Sequence, residues 1–171
     1  FESSLFKNKI KIKILSNITC FQLKEYLQFQ INQKNFNAKV DIGEFNNLFD
    51  QHKDEKNNFV IVIWELANIS VNSHYQLDKL NKNDLEKIIE NTKKKIDLFL
   101  KLNKKSTILF NKFSSKIFKK SFKKSNNLEK TEKILNQFLI NKKLNNLILI
   151  DIDELFFEVG SENLISLRDF Y

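Results

Sequence analysis

The run Phe59-Val60-Ile61-Val62-Ile63-Trp64 constrains this chain more than any other stretch. A continuous β-branched run of this kind reads as a strand with apolar surroundings on both faces. That is the setting of a parallel sheet covered by helices. Parallel neighbours need crossover connections, so helical patterns should separate this strand from the next ones in sequence.

The flanking sequence supplies them. Ile10, Ile12 and Ile14 alternate with lysines, the period of a strand over Ile10–Leu15. After a short polar turn the period becomes helical, with Leu23, Tyr26, Leu27 and Ile31 on one face. Thr19 followed by Gln22 predicts a capping box, and the helix should run from about Thr19 to Gln33. Asn35-Phe36-Asn37 then makes a turn into a short strand, Ala38–Ile42, which Gly43 ends. As one of only two glycines, Gly43 marks a positive φ or a close approach. One or two helical turns are expected over Glu44–Gln51, with Phe45, Leu48 and Phe49 as apolar contacts. His52–Asn58 reads as a polar loop, and residues 69–81 as a loop carrying His74 and Tyr75.

A long helix is predicted over Asn83–Leu102, with Leu85, Ile88, Ile89, Ile96, Phe99 and Leu100 as its stripe. Thr107–Phe110 is a fourth strand. A Ser/Lys-rich loop from 111 to 127 follows, held down by Phe113, Ile117, Phe118 and Phe122. Leu128–Asn141 is a helix through Ile134, Leu135, Phe138 and Leu139, and Leu147–Ile150 a fifth strand. Asp151-Ile152-Asp153-Glu154 leads into a short helix ending at Gly160. The expected fold class is therefore α/β: a three-layer α/β/α sandwich on a five-stranded parallel sheet of order 2-1-3-4-5, flavodoxin-like in topology. The switch point falls between strands one and three. Ser16 and Asn17 would face Glu65 and Asn68 there, at the carboxyl ends where ligand sites form.

The 171 residues suffice for one domain with a core, and 42 % are hydrophobic. No stretch approaches the ~20 apolar residues of a membrane span, and no signal peptide is visible. The single Cys20 makes no internal disulfide, so a cytoplasmic location is expected. The sequence begins at Phe1, contains no Met and runs to Arg168-Asp169-Phe170-Tyr171, which reads as a fragment of a longer protein. The net charge of +8 raises nucleic acid as a partner. Against it, Arg168 is the only arginine among the basic residues, and arginine is the usual reader of guanine and phosphate. Lys, Asn, Phe and Ile are the residues of A/T-rich codons, so coding bias accounts for the charge. Neither nucleic acid nor membrane is expected as a partner.

Two glycines cannot build a dinucleotide or P-loop phosphate cradle, and no zinc-ligand spacing or Gly-x-Ser-x-Gly elbow is present. No cofactor and no metal are expected. Asp151 and Asp153 follow an apolar strand as in a phosphatase Asp-x-Asp. The continuation Glu154-Leu155-Phe156-Phe157 favours instead a helix N-terminus with stabilising carboxylates. His52 reads as solvent-exposed, His74 as the histidine better placed to reach the crevice, and Cys20 as a structural thiol near a helix start.

Lys13-Ile14-Leu15-Ser16-Asn17-Ile18-Thr19, then a helix and a short strand ending near Gly43, resembles the opening of the SGNH-hydrolase-like domain of FkbH-type proteins. The strand Phe59–Trp64 with Glu65-Leu66 after it, the segment Ile108–Phe113, and Leu149–Asp153 are similar to that family's later strands. The ending at Arg168–Tyr171 resembles the approach to that family's final segment. The resemblance covers most of the chain. It implies a single SGNH-like domain over residues 1–171 of a bacterial biosynthetic protein, followed by a haloacid-dehalogenase (HAD)-type phosphatase or acyltransferase domain. Such proteins load glyceryl or similar acyl units onto an acyl carrier protein, for polyketides or surface glycans. That implies two partners, the C-terminal HAD-type domain of the same chain and an acyl carrier protein.

Active SGNH esterases carry Gly-Asp-Ser after strand one, where this sequence has Leu15-Ser16-Asn17. Asn17 stands in the nucleophile's place, and an amide is no nucleophile. The usual Gly-x-Asn-Asp is replaced by Glu65-Leu66-Ala67-Asn68, and no Asp-x-x-His is present. The resemblance therefore implies a non-hydrolytic binding domain without a complete triad, whose crevice would use Ser16, Asn17, Thr19, Gly43, Glu65, Asn68 and Asn111. The alternative is an active esterase with Ser16 as a shifted nucleophile and a base from His74 or beyond the C-terminus.

Overall fold

A computed structural model describes residues 9–50, 57–69, 77–115 and 127–159. His52, His74, Tyr75, Ile117, Phe118, Phe122, Gly160 and the Arg168–Tyr171 segment lie outside these residues, so the expectations placed on them stay with the sequence.

The strands are β1 (Ile10–Ser16), β2 (Ala38–Ile42), β3 (Phe59–Ile63), β4 (Thr107–Asn111) and β5 (Leu147–Ile150). They form one parallel sheet in the order β2-β1-β3-β4-β5, as the sequence predicts. The helices are α1 (Phe21–Gln33), α2 (Lys82–Leu102), α3 (Asn127–Ile140) and α4 (Ile152–Val159). The chain steps one way from β1 to β2 and the other way from β3 to β5. Right-handed crossovers therefore place α1 on one face and α2 with α3 on the other.

The two faces bury different cores. Leu15, Val60, Val62, Ile108 and Phe110 pack under Leu85, Ile89, Ile96 and Phe99 of α2 and Leu135 and Leu139 of α3. Phe110 meets Phe99 edge-on, with ring centroids 6.4 Å apart. On the opposite face Ile12, Ile14 and Val40 pack with Leu23, Leu27 and Ile31 of α1. The α2–α3 seam is also tied outside the core. Lys142 Nζ lies 4.0 Å from the centre of the Phe138 ring and pairs with Asp97.

Several local expectations are corrected. β3 is fully buried on its Val60/Val62 face, while Ile61 and Ile63 are half-buried and Phe59 is exposed. The α1 face of the sheet is thus less completely covered than the β-branched run suggests, and Ile148 of β5 is exposed as well. In α1, Tyr26 points outward rather than joining the stripe. The predicted capping box does not form. Cys20 takes the N-cap position with no side-chain capping hydrogen bond, and Thr19 is exposed. Within the loop predicted over residues 69–81, Leu77–Lys79 forms a short 3-10 turn, with Leu77 buried in the larger core.

The expected helical turns after Gly43 are also absent: residues 43–50 are turns. Asn and Asp side chains there take the amides a helix would use. Asn47 Oδ1 accepts from the Phe49 amide at 2.8 Å, and Asp50 Oδ2 from the Glu44 amide at 2.6 Å. Asn46 adopts φ 59°, outside the helical region. Leu48 is buried, whereas Phe45 and Phe49 are exposed.

This loop explains Lys13. Its place in an amphipathic strand suggests solvent, yet it is 3 % exposed. Its ammonium lies 3.4 Å from Asp50 Oδ2. The loop carrying Asp50 folds over β1 and seals the pair. Gly43 makes that approach feasible. A Cβ there would lie 2.5 Å from Leu15 Cδ2 and 3.0 Å from Asp50 Oδ2. Close approach, of the two sequence-based reasons for this glycine, is the one the geometry supplies. Gly43→Ala should therefore cost about 1–3 kcal/mol of stability through overpacking. A lowered urea midpoint with unchanged slope is the expected reading; an unchanged midpoint would show that Leu15 and Asp50 yield freely.

Candidate functional site

Parallel strands run out of hydrogen-bonding neighbours at their carboxyl ends. Here asparagine amides take over from the peptide groups. Asn111, the last residue of β4, accepts from the Trp64 amide at 2.6 Å and donates to the Trp64 carbonyl at 3.0 Å. Asn17, just past β1, does the same to the next residue. Its Oδ1 accepts from the Glu65 amide at 2.6 Å and its Nδ2 donates to the Glu65 carbonyl at 2.9 Å. Successive residues of the chain leaving β3 are thus held from its two neighbouring strands. Asn17 is completely buried, so its amide serves the fold.

Glu65 is consequently fixed at the switch point between β1 and β3. Its carboxylate accepts a hydrogen bond from Asn68 Nδ2, at the end of a short 3-10 turn, Leu66–Asn68. Burial pushes the Glu65 carboxyl above its ordinary value. Asn68 Oδ1 is buried without a hydrogen-bond partner among the described residues. A half-buried carboxyl of raised pKa beside an unsatisfied carbonyl, at a strand's carboxyl end, has the features of a ligand site.

Ser16 lies close by but is 4 % exposed. Its hydroxyl donates to the Ile18 carbonyl at 2.7 Å and lies 3.1 Å from Cys20 Sγ. No histidine or carboxylate contacts it among the described residues. Its own carbonyl accepts from the Asn46 amide at 2.8 Å, which ties the Gly43 loop to this strand end. The predicted crevice residues therefore divide. Asn17, Glu65 and Asn68 come together in one hydrogen-bonded group, and Asn111 braces the same segment from behind. The Ser16 side chain bonds into the adjoining turn, Gly43 belongs to the loop over Lys13, and Thr19 stands exposed.

A second polar group occupies the ends of β4 and β5. Lys112 Nζ lies 2.9 Å from Asp151 Oδ2, and Ser114 donates to Asp153 Oδ1 at 2.5 Å. Asp151 Oδ1 accepts from the amides of Asp153 and Glu154 at 3.1 and 3.3 Å, which caps α4. The Lys112 hydrogen bond, aided by these amides, holds the Asp151 carboxyl below its ordinary value. The Asp-x-Asp pair thus opens a helix. Among the described residues no group of three or more His, Cys, Asp or Glu could hold a metal ion. No described helix is long and apolar enough to cross a membrane. Sequence reasoning did not single out Lys112, Ser114 or Asn136. Asn136 clamps the Phe113 backbone, accepting from its amide at 2.8 Å and donating to its carbonyl at 2.9 Å. Its position on a helical pattern gave no sign of that contact.

Neither a family model nor a curated protein matches this sequence. Among solved structures, the fold is similar to that of the N-terminal part of protein BF1531 from Bacteroides fragilis, described as containing a phosphatase domain and complexed with Mg. The superposition has a TM-score of 0.71 at 13 % identity. It covers 92 % of this chain and 44 % of that one. The chain thus spans less than half the length of that structure, and at this identity the likeness concerns the fold.

Two measurements test the site's construction. Asn17→Ala leaves the Glu65 amide and carbonyl unpaired in a buried setting, which should cost about 2–4 kcal/mol. Chemical denaturation reads it, and a loss below 1 kcal/mol (roughly one net hydrogen bond) would show that water replaces the clamp. Glu65 gives a pH signature. With its folded pKa above the ordinary 4.5, the folded chain holds the proton more tightly than the unfolded one. Stability from this group is therefore lost as pH rises from 4.5 through the folded value. Glu65→Gln should gain stability relative to the native chain across that window and show a constant difference above it.

Proposed function

We propose that this chain is a non-hydrolytic, SGNH-like binding domain of an FkbH-like bacterial biosynthetic protein. It works beside a HAD-type phosphatase domain in acyl or glyceryl transfer to an acyl carrier protein. The observation that carries the non-hydrolytic part is the state of Asn17. In the nucleophile's place of the SGNH pattern stands a fully buried amide bonded at both ends to the Glu65 backbone. A residue so engaged presents no attacking atom to a substrate. The fold likeness to a longer protein described as containing a phosphatase domain supports the association with such a domain.

An esterase built on Ser16 finds less support. Its hydroxyl is buried and donates to a backbone carbonyl, with no base in contact among the described residues. The strand end offers acceptors instead: the Glu65 carboxylate and the Asn68 carbonyl, backed by the Asn17 and Asn111 clamps. This is the arrangement of a site that holds a polar group without attacking it.

A serine-directed fluorophosphonate probe tests the proposal. No covalent labelling of Ser16 is expected, and no hydrolysis of p-nitrophenyl esters from acetyl to octanoyl. Stoichiometric labelling at Ser16, mapped by peptide mass spectrometry and lost in Ser16→Ala, would overturn it.

A further inference from the structure

Glu65 differs in its partners from three carboxylates that each meet a lysine. Asp50 faces Lys13 at 3.4 Å, and Asp151 faces Lys112 at 2.9 Å. Asp97 pairs with Lys142. Glu65 is paired with no cation among the described residues, in a chain with 29 basic and 21 acidic residues. Among the described residues its side chain hydrogen-bonds to the Asn68 amide alone. That contact leaves the second carboxylate oxygen without a hydrogen bond from any described residue, and the buried Asn68 carbonyl likewise has no donor among the described residues. The end of β3 therefore concentrates acceptors and negative charge that no described residue complements.

Rigidity strengthens the case. The Glu65 backbone is pinned at both its amide and its carbonyl, and Trp64 before it likewise. The carboxylate's reach is therefore set by its own side-chain torsions and not by movement of the backbone. A half-buried anion held without a counter-charge is costly, and a protonated amine supplies both the missing charge and the missing N–H donors. A neutral hydroxyl supplies only the donor.

We propose that the Glu65–Asn68 pair is an ammonium site: it binds the protonated primary amine of a small ligand through the free Glu65 oxygen. The inference rests on the reading of this strand end as a binding site and names the chemistry that it takes.

The test follows the Glu65 carboxyl and the Asn68 side-chain amide by carbon- and nitrogen-detected NMR during titration with simple probes. Ethylammonium chloride offers charge and N–H donors, tetramethylammonium chloride charge alone, and glycerol donors alone. Sodium chloride matches the ionic strength. Ethylammonium alone should perturb both groups saturably and lower the Glu65 titration midpoint, and Glu65→Gln should abolish the response with the backbone spectrum otherwise intact. An equal response to tetramethylammonium, a response to glycerol only, or a response that survives in Glu65→Gln would overturn the ammonium inference and leave the binding-site reading standing. No response to any probe would remove both.

Discussion

The structure depends on one substitution of chemistry: side-chain amides standing in for peptide groups where the sheet ends. An asparagine carries the donor and acceptor of a peptide unit in the same geometry, so it can extend a ladder by one rung. Asn17 and Asn111 do this for Glu65 and Trp64, at distances of 2.6 to 3.0 Å. Asn136 does it for Phe113. Gln28 of α1 does it along the outer edge of β2, accepting from the Val40 amide and donating to the Ala38 carbonyl. That contact fills part of an otherwise open sheet edge, where unpaired strands invite unwanted pairing. The asparagine-rich composition, a consequence of coding bias in the sequence reading, thus carries structural work.

The clamps determine how the rest of the switch point is arranged. With the exit from β3 held on both sides, the turn through Leu66–Asn68 starts from a fixed direction and Glu65 has little freedom. On the other side of β1 the Gly43 loop is held by different means. Asp50 meets Lys13 under the loop, and the Ser16 carbonyl takes the Asn46 amide above it. The buried ion pair contributes little net stability by itself, because desolvation offsets its attraction. Its effect is geometric: a lysine that must be paired selects the one loop path that brings Asp50 to it. Asparagine also supplies the left-handed backbone that the scarce glycines do not, at Asn35 and Asn46.

The strands and long helices were legible because their periods are local. Ala38–Ile42 and Leu147–Ile150 match to the residue, and α2 and α3 begin one residue earlier than the pattern suggests. What failed was set by contacts between distant residues or by competition within a few residues. Thr19 and Gln22 had the right spacing for a cap, but the helix started at Phe21 and passed them by. Glu44–Gln51 had helical apolar spacing, but the Asp50 and Asn47 side chains captured two of its amides. Lys13 looked like a surface residue because alternation reports which side a residue faces and not what covers that side. The site divides in the same way. That Ser16, Asn17, Glu65 and Asn111 lie at strand ends followed from the strand boundaries. That Asn17 turns inward to a backbone 48 positions away did not, since an asparagine at a strand end can serve a ligand or a peptide group equally well.

The sequence by itself determined the parallel α/β architecture and its strand order, because hydrophobic period, crossover length and handedness leave few ways to cover five such strands. It also placed an amide, that of Asn17, directly after the first strand. Only the tertiary structure decided what that amide does, which carboxylates find a cation and which do not. Those outcomes depend on burial and on hydrogen-bond partners nearly fifty residues apart, and no local pattern encodes either.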